Sequence, residues 1–77
     1  MTTETERAAL MFRVLWRRGD RVVLDWTDDE FTSLRPGDRG TVTFVDALGT
    51  VHVRWDSGSR LGLVRGHDRW HREDDAS

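Results

Sequence analysis

Several side chains in this sequence have the right types for chemistry, and their spacing decides what each can do. His67 and His71 stand four apart, so a helical turn would bring both together with Asp68 or Asp74 as a third metal ligand. The sequence has no cysteine to complete such a set, and the surrounding charges describe a solvated turn better than a metal centre. Ser57 and Ser59 flank Gly58. No strand, serine and helix elbow surrounds them, so they read as hairpin residues rather than nucleophiles. Asp25, Asp28, Asp29 and Glu30 are close together but lack the alternating ligand positions and central glycine of a calcium loop. The expectation is no catalytic residue, no metal and no cofactor, and therefore no enzyme.

Arginine and tryptophan carry more information. All 12 basic residues are arginine, whose planar fork grips carboxylates and phosphates and stacks on aromatic faces. His52, Arg54 and Arg60, with Thr43 and Thr50 nearby, alternate with apolar residues and so share an outward face. There Arg54 and Arg60 can clamp acidic side chains or phosphates, with Trp26 adding a stacking surface. The sequence holds four tryptophans. Trp55 and Trp70 fall in phase with inward residues, while Trp26 ends a strand beside the acidic loop. Trp16 sits with Met11, Phe12 and Leu15 ahead of the β-rich part. These four must be covered, either by the chain's own core or by an interface with a second copy or another protein.

The elements that position these groups follow from periodicity. Thr3 and Glu6 have capping-box spacing, and 100° steps gather Ala8, Ala9, Met11, Phe12, Leu15 and Trp16 on one arc. This predicts an N-terminal helical segment over residues 1–18, stopped at Gly19. Phe12, Val14 and Trp16 also alternate with Arg13, Leu15 and Arg17, so a strand over 12–16 is the competing reading. From Asp20 onward the period is two. Val22, Leu24 and Trp26, then Val42 and Phe44, then Val51, Val53 and Trp55 alternate with polar or outward residues. Arg60–Val64 reads as a fourth strand with Leu61 and Leu63 inward, and a short fifth follows around Trp70. Pro36-Gly37 suits a type II turn, while Gly49 and Gly58 suit hairpin turns.

The chain has 77 residues, one small domain, and 36% of them are hydrophobic, which is globular rather than disordered composition. Short antiparallel strands in so small a chain bury their apolar face best by curling, so the expected fold is mainly β. It is a small SH3-like barrel of five short antiparallel strands over 19–72 with an N-terminal helix, followed by a disordered tail at 73–77. Charge comes in blocks of +2, −4, +2 and −2 over residues 1–18, 19–38, 39–65 and 66–77. None is basic enough for a strong nucleic-acid footprint. No apolar run approaches the roughly 20 residues that span a bilayer.

Gly19-Asp20-Arg21-Val22, Pro36-Gly37-Asp38-Arg39-Gly40-Thr41-Val42, Val45-Asp46-Ala47-Leu48-Gly49, the run from His52 to Val64, and Asp68-Arg69 resemble domain of unknown function 4314. The resemblance implies an actinobacterial or phage setting and lends no activity. A looser similarity, on Gly40-Thr41-Val42, Val51, Val53, Trp55, Asp56, Gly58, Arg65, Gly66 and Asp68, runs to the Mib-Herc2 domains of eukaryotic ubiquitin ligases. Those are SH3-like and bind peptide segments, which implies the same fold and a bias toward protein ligands.

Together these features predict a non-enzymatic cytoplasmic binding module whose partner is a protein or a second copy of itself, with no membrane contact. Its ligand surface is Trp26, His52, Arg54 and Arg60; its interface is Met11, Phe12, Leu15 and Trp16. The alternative is a nucleic-acid-binding accessory protein that uses the Arg/Trp surface.

Overall fold

A computed structural model describes residues 3–73 of the chain. One helix, α1 (Glu4–Leu15), precedes four strands: β1 (Arg21–Thr27), β2 (Arg39–Val45), β3 (Val51–Trp55) and β4 (Asp68–Arg72). The strands form one antiparallel sheet in the order β3-β2-β1-β4.

The helix starts where the capping box predicts. The Thr3 hydroxyl accepts from the Glu6 N–H at 3.1 Å and donates to the Glu6 carboxylate at 3.2 Å. It ends three residues earlier than expected, because groups outside the helix take over its last turn. Trp16 is already extended, the Asp20 carboxylate accepts from the Arg17 N–H at 2.9 Å, and the Arg72 guanidinium donates to the Leu15 carbonyl. That backbone bond to Arg17 is also the main reason the Asp20 carboxyl titrates below its ordinary range. The competing strand over 12–16 is not formed.

Val22, Leu24, Leu34, Val42, Val51, Val53, Trp55 and Leu63 make the core, with Phe12, Trp16, Val45, Leu61 and Trp70 packed against it. Trp55 is 1% exposed, and its indole N–H donates to the Leu61 carbonyl at 2.8 Å. β3 keeps the predicted alternation throughout.

Two strands do not keep it. A bulge between Val42 and Phe44 shifts the register, so Phe44 faces His52 on the outer side instead of entering the core. A second bulge, between Leu24 and Trp26, breaks the phase of β1 and leaves Trp26 48% exposed.

The fourth of the five expected strands, at 60–64, is also absent among the described residues, while the short one expected around Trp70 forms as β4. Residues 60–64 make a single bridge, Val51 to Leu63, because the Leu61 carbonyl is turned to the Trp55 indole. A Cβ on Gly62 would come within 2.8 Å of the Thr50 side chain, so the segment already lies as close to β3 as its side chains allow. The architecture is therefore a four-stranded open sheet with one helix. Of the expected tail, Glu73 is engaged with Arg21 and Arg39, and the remaining residues 74–77 lie outside those described.

The helix is seated at two places. A Cβ on Gly49, in the β2–β3 turn with φ +87°, would approach the Ala9 Cα to 3.1 Å, so helix and turn meet nearly backbone to backbone. At the other end Phe12 and Trp16 pack on Trp70, with ring centroids 5.9 and 6.0 Å apart. The Arg72 guanidinium lies 4.3 Å over the Trp16 ring and bonds to Asp20 at 2.7 Å.

Candidate functional site

The residues expected to form one ligand surface fall into three places. His52 is held within its own hairpin: its Nε2 lies 2.8 Å from the Asp46 carboxylate, and its ring stacks on Phe44 at 4.2 Å. Asp46 also accepts from the N–H groups of Leu48 and Thr50, at 2.9 and 3.0 Å, which closes the β2–β3 turn. The His52 bond, helped by those two, keeps the Asp46 carboxyl below its ordinary range.

Arg54 and Arg60 do come together. Gly58, at φ +95°, permits a tight turn in which its N–H donates to the Trp55 carbonyl at 2.9 Å and the Trp55 N–H donates to Ser59 at 3.1 Å. The returning chain sets Arg60 beside Arg54 in a shallow cleft of about 340 Å³, completed by Thr41, Trp55, Asp56 and Gly58. Arg21 and Thr41 are paired across β1 and β2, and Thr41 and Arg54 across β2 and β3, so all three lie on the same outer face.

Arg21 organises this face. It grips Asp56 with two bonds of 2.8 and 2.6 Å, reaches the Thr41 hydroxyl at 3.0 Å, and bonds to Glu73 at 3.1 Å. Glu73 in turn pairs with Arg39 at 3.2 Å. The bond to Asp56, then that to Glu73, holds the Arg21 guanidinium more firmly charged than usual, and the same fork lowers the Asp56 carboxyl. Arg21 and Arg39 thus share the two carboxylates of Asp56 and Glu73. Arg54 and Arg60 have no carboxylate within 4 Å among the described residues.

Trp26 is elsewhere. It lies five residues along β1 from Arg21, about 16 Å at the usual strand rise, where it pairs with Arg69. The expected joint Arg/Trp surface is therefore split.

The expected interface is split as well, by helical geometry. Phe12 and Trp16 point to the sheet and pack on Trp70, while Met11 and Leu15 face outward together with Leu10 and Val14. These four are 48–70% exposed. Leu10 and Val14 belong to a second apolar arc that a single-face reading of residues 8–16 misses, although the pairs 10, 11 and 14, 15 mark it in the sequence. Phe31, 97% exposed beside the acidic run, is a further apolar group that alternation does not flag.

The histidines do not form a site. His67 Nδ1 lies 2.8 Å from Asp28 and His71 Nδ1 lies 2.8 Å from Asp25, on different turns and strands. The Asp28 bond raises the His67 pKa. Asp68 is buried as an anchor, accepting from the Thr27 hydroxyl at 2.6 Å and from the Val64 N–H at 2.8 Å. Among the described residues no group of three such side chains could hold a metal ion, and Asp74 lies outside them. No helix there is long and apolar enough to cross a membrane.

No curated protein and no solved structure matches the chain. Residues 7–72 match the model of a family described as a domain of unknown function, DUF4314, and the chain belongs to that family.

Proposed function

We propose that this chain is a non-enzymatic, cytoplasmic binding module that works by contact with protein, a second copy of itself included. The observation that carries the reading is the outer face of α1. Leu10, Met11, Val14 and Leu15 stay 48–70% exposed although the opposite face of the same helix is already docked. Four such side chains together make an apolar patch on the order of 400 Å², the size of the largest patch on a typical monomer, which is often functional.

Charge supports the self-contact form of the reading. Glu4 and Glu6 occupy the first turn and Arg13 the last, with Arg17 and Arg18 just beyond. An antiparallel two-fold pairing would set the acidic end of one helix beside the basic end of the other.

The architecture behind this module is read as an SH3-like barrel. Leu63 bridges to Val51 on β3, and Arg65 bridges to Asp68 at the start of β4, so the chain crosses from one edge of the sheet to the other. The nucleic-acid alternative as drawn from the sequence joins Trp26 to Arg54 and Arg60 on one surface, and the position of Trp26 at the other end of β1, beside Arg69, lends that joint surface no support.

Sedimentation velocity from low to high micromolar concentration, with and without single-stranded oligothymidine, tests the reading. The parent should associate with increasing concentration, while a Leu10→Ser, Val14→Ser variant stays folded and monomeric. A parent that remains monomeric alone and co-sediments with the oligonucleotide would overturn the proposal.

A further inference from the structure

We propose that the Arg54–Arg60 cleft is a second, separate site that binds an acidic segment of a partner protein, one carboxylate seated between the two guanidiniums. The cleft sits on the outer sheet face and shares no lining residue with the exposed face of α1. It therefore stands or falls independently of the helix contact.

Three features of the cleft specify the ligand. Its own carboxylate is already occupied, because both oxygens of Asp56 are held by Arg21 and compete little for Arg54 or Arg60. The Thr41 hydroxyl accepts from Arg21 and donates to no group among the described residues, which leaves a neutral donor beside the two cations. The cleft is also built on rigid parts. Arg54 stands on β3, and Arg60 follows a turn closed by two backbone bonds, next to a Leu61 whose carbonyl is fixed by the Trp55 indole. Two forked donors and a hydroxyl on a fixed frame suit an oxyanion.

Two further observations favour a protein carboxylate over a nucleic-acid phosphate. Trp55, the aromatic residue of the cleft, is buried at 1% exposure and offers no face on which a base could stack. The chain has formal net charge −2, and its two blocks of positive excess, residues 1–18 and 39–65, carry only +2 each, whereas a phosphodiester backbone is tracked by an extended basic groove.

The test is fluorescence anisotropy at low salt with two labelled probes, a hexaglutamate peptide and oligothymidine, against the full chain. The peptide should bind, and Arg60→Ala and Arg54→Gln should each weaken it about tenfold, while Arg35→Ala, in the turn before β2 and outside the cleft lining, and the Leu10→Ser, Val14→Ser variant leave it unchanged. Circular dichroism of each variant confirms that it is folded, and Arg60, after the turn, reports on the cleft even if the strand substitution at Arg54 disturbs β3. Absence of peptide binding, equal loss with Arg35→Ala, or tighter binding of oligothymidine through the same two arginines would overturn the assignment.

Discussion

The Phe44 ring lies parallel to the His52 imidazole, 4.2 Å away and 6° from coplanar, on the outer side of the sheet. The contact exists because the bulge after Val42 moves Phe44 out of phase and opposite His52. With Asp46 on the far ring nitrogen, the imidazole is gripped both by its face and by its edge.

A double-mutant cycle on Phe44→Ala and His52→Ala should therefore show a favourable coupling of about 0.5–1 kcal/mol in urea unfolding, the usual size of a stacked cross-strand pair. Purely additive losses would mean that the two rings do not stack in solution.

The two inward tryptophans should respond differently to loss of the indole nitrogen. Trp55 donates to Leu61, whereas the Trp70 indole nitrogen is buried with no acceptor among the described residues. Trp55→Ala should cost about 3–5 kcal/mol from the cavity alone. Trp55→Phe should cost more than Trp70→Phe by about 1 kcal/mol, because only the first strands a carbonyl. Equal losses in denaturant titrations would contradict this.

Gly49 and Gly58 both have positive φ, but only Gly49 faces the helix, with Ala9 in the way of a Cβ. Gly58→Ala should cost about 1 kcal/mol, the left-handed backbone penalty. Gly49→Ala should cost clearly more and shift the near-ultraviolet signal of Trp16 as α1 is pushed off. Matching melting temperatures for the two variants would show that the helix is not seated on that turn.

Stability should also depend on pH at both ends. The His67 pKa is raised above its ordinary 6.5 by Asp28, so its contribution is complete below 6.5 and disappears as pH rises through the folded value. Asp20, Asp46 and Asp56 are lowered from 3.8, so their contributions are present above 3.8 and disappear as pH falls through the folded values. The melting temperature should be highest between those limits. His67→Gln should flatten the alkaline side without changing the acid side; an unchanged alkaline slope would rule out the Asp28 pair as its source.

What could be read from the sequence was whatever depends on local pattern. The Thr3/Glu6 cap, the turns at Gly37, Gly49 and Gly58, and the strict alternation of Val51, Val53 and Trp55 all appear where their residue types place them. Bulges were not legible, since one extra residue leaves no mark in composition yet turns Phe44 and Trp26 outward. The strand expected at 60–64 failed through a side-chain competitor across the hairpin, the Trp55 indole, for the Leu61 carbonyl. At the site, the neighbourhood of Arg54 and Arg60 followed from a recognisable hairpin. The pairing of Asp56 with Arg21 joins residues 35 apart in sequence, beyond any local pattern.

β3 is an edge strand, and edges invite foreign strands to add on. Here Leu63 exchanges two backbone bonds with Val51 at one end, at 2.9 and 2.8 Å, and Ser59 accepts from Trp55 at the other. An incoming strand would find only the middle of β3 open, too short a stretch to zip. The segment after the hairpin thus guards this edge of the sheet against fibre-like stacking.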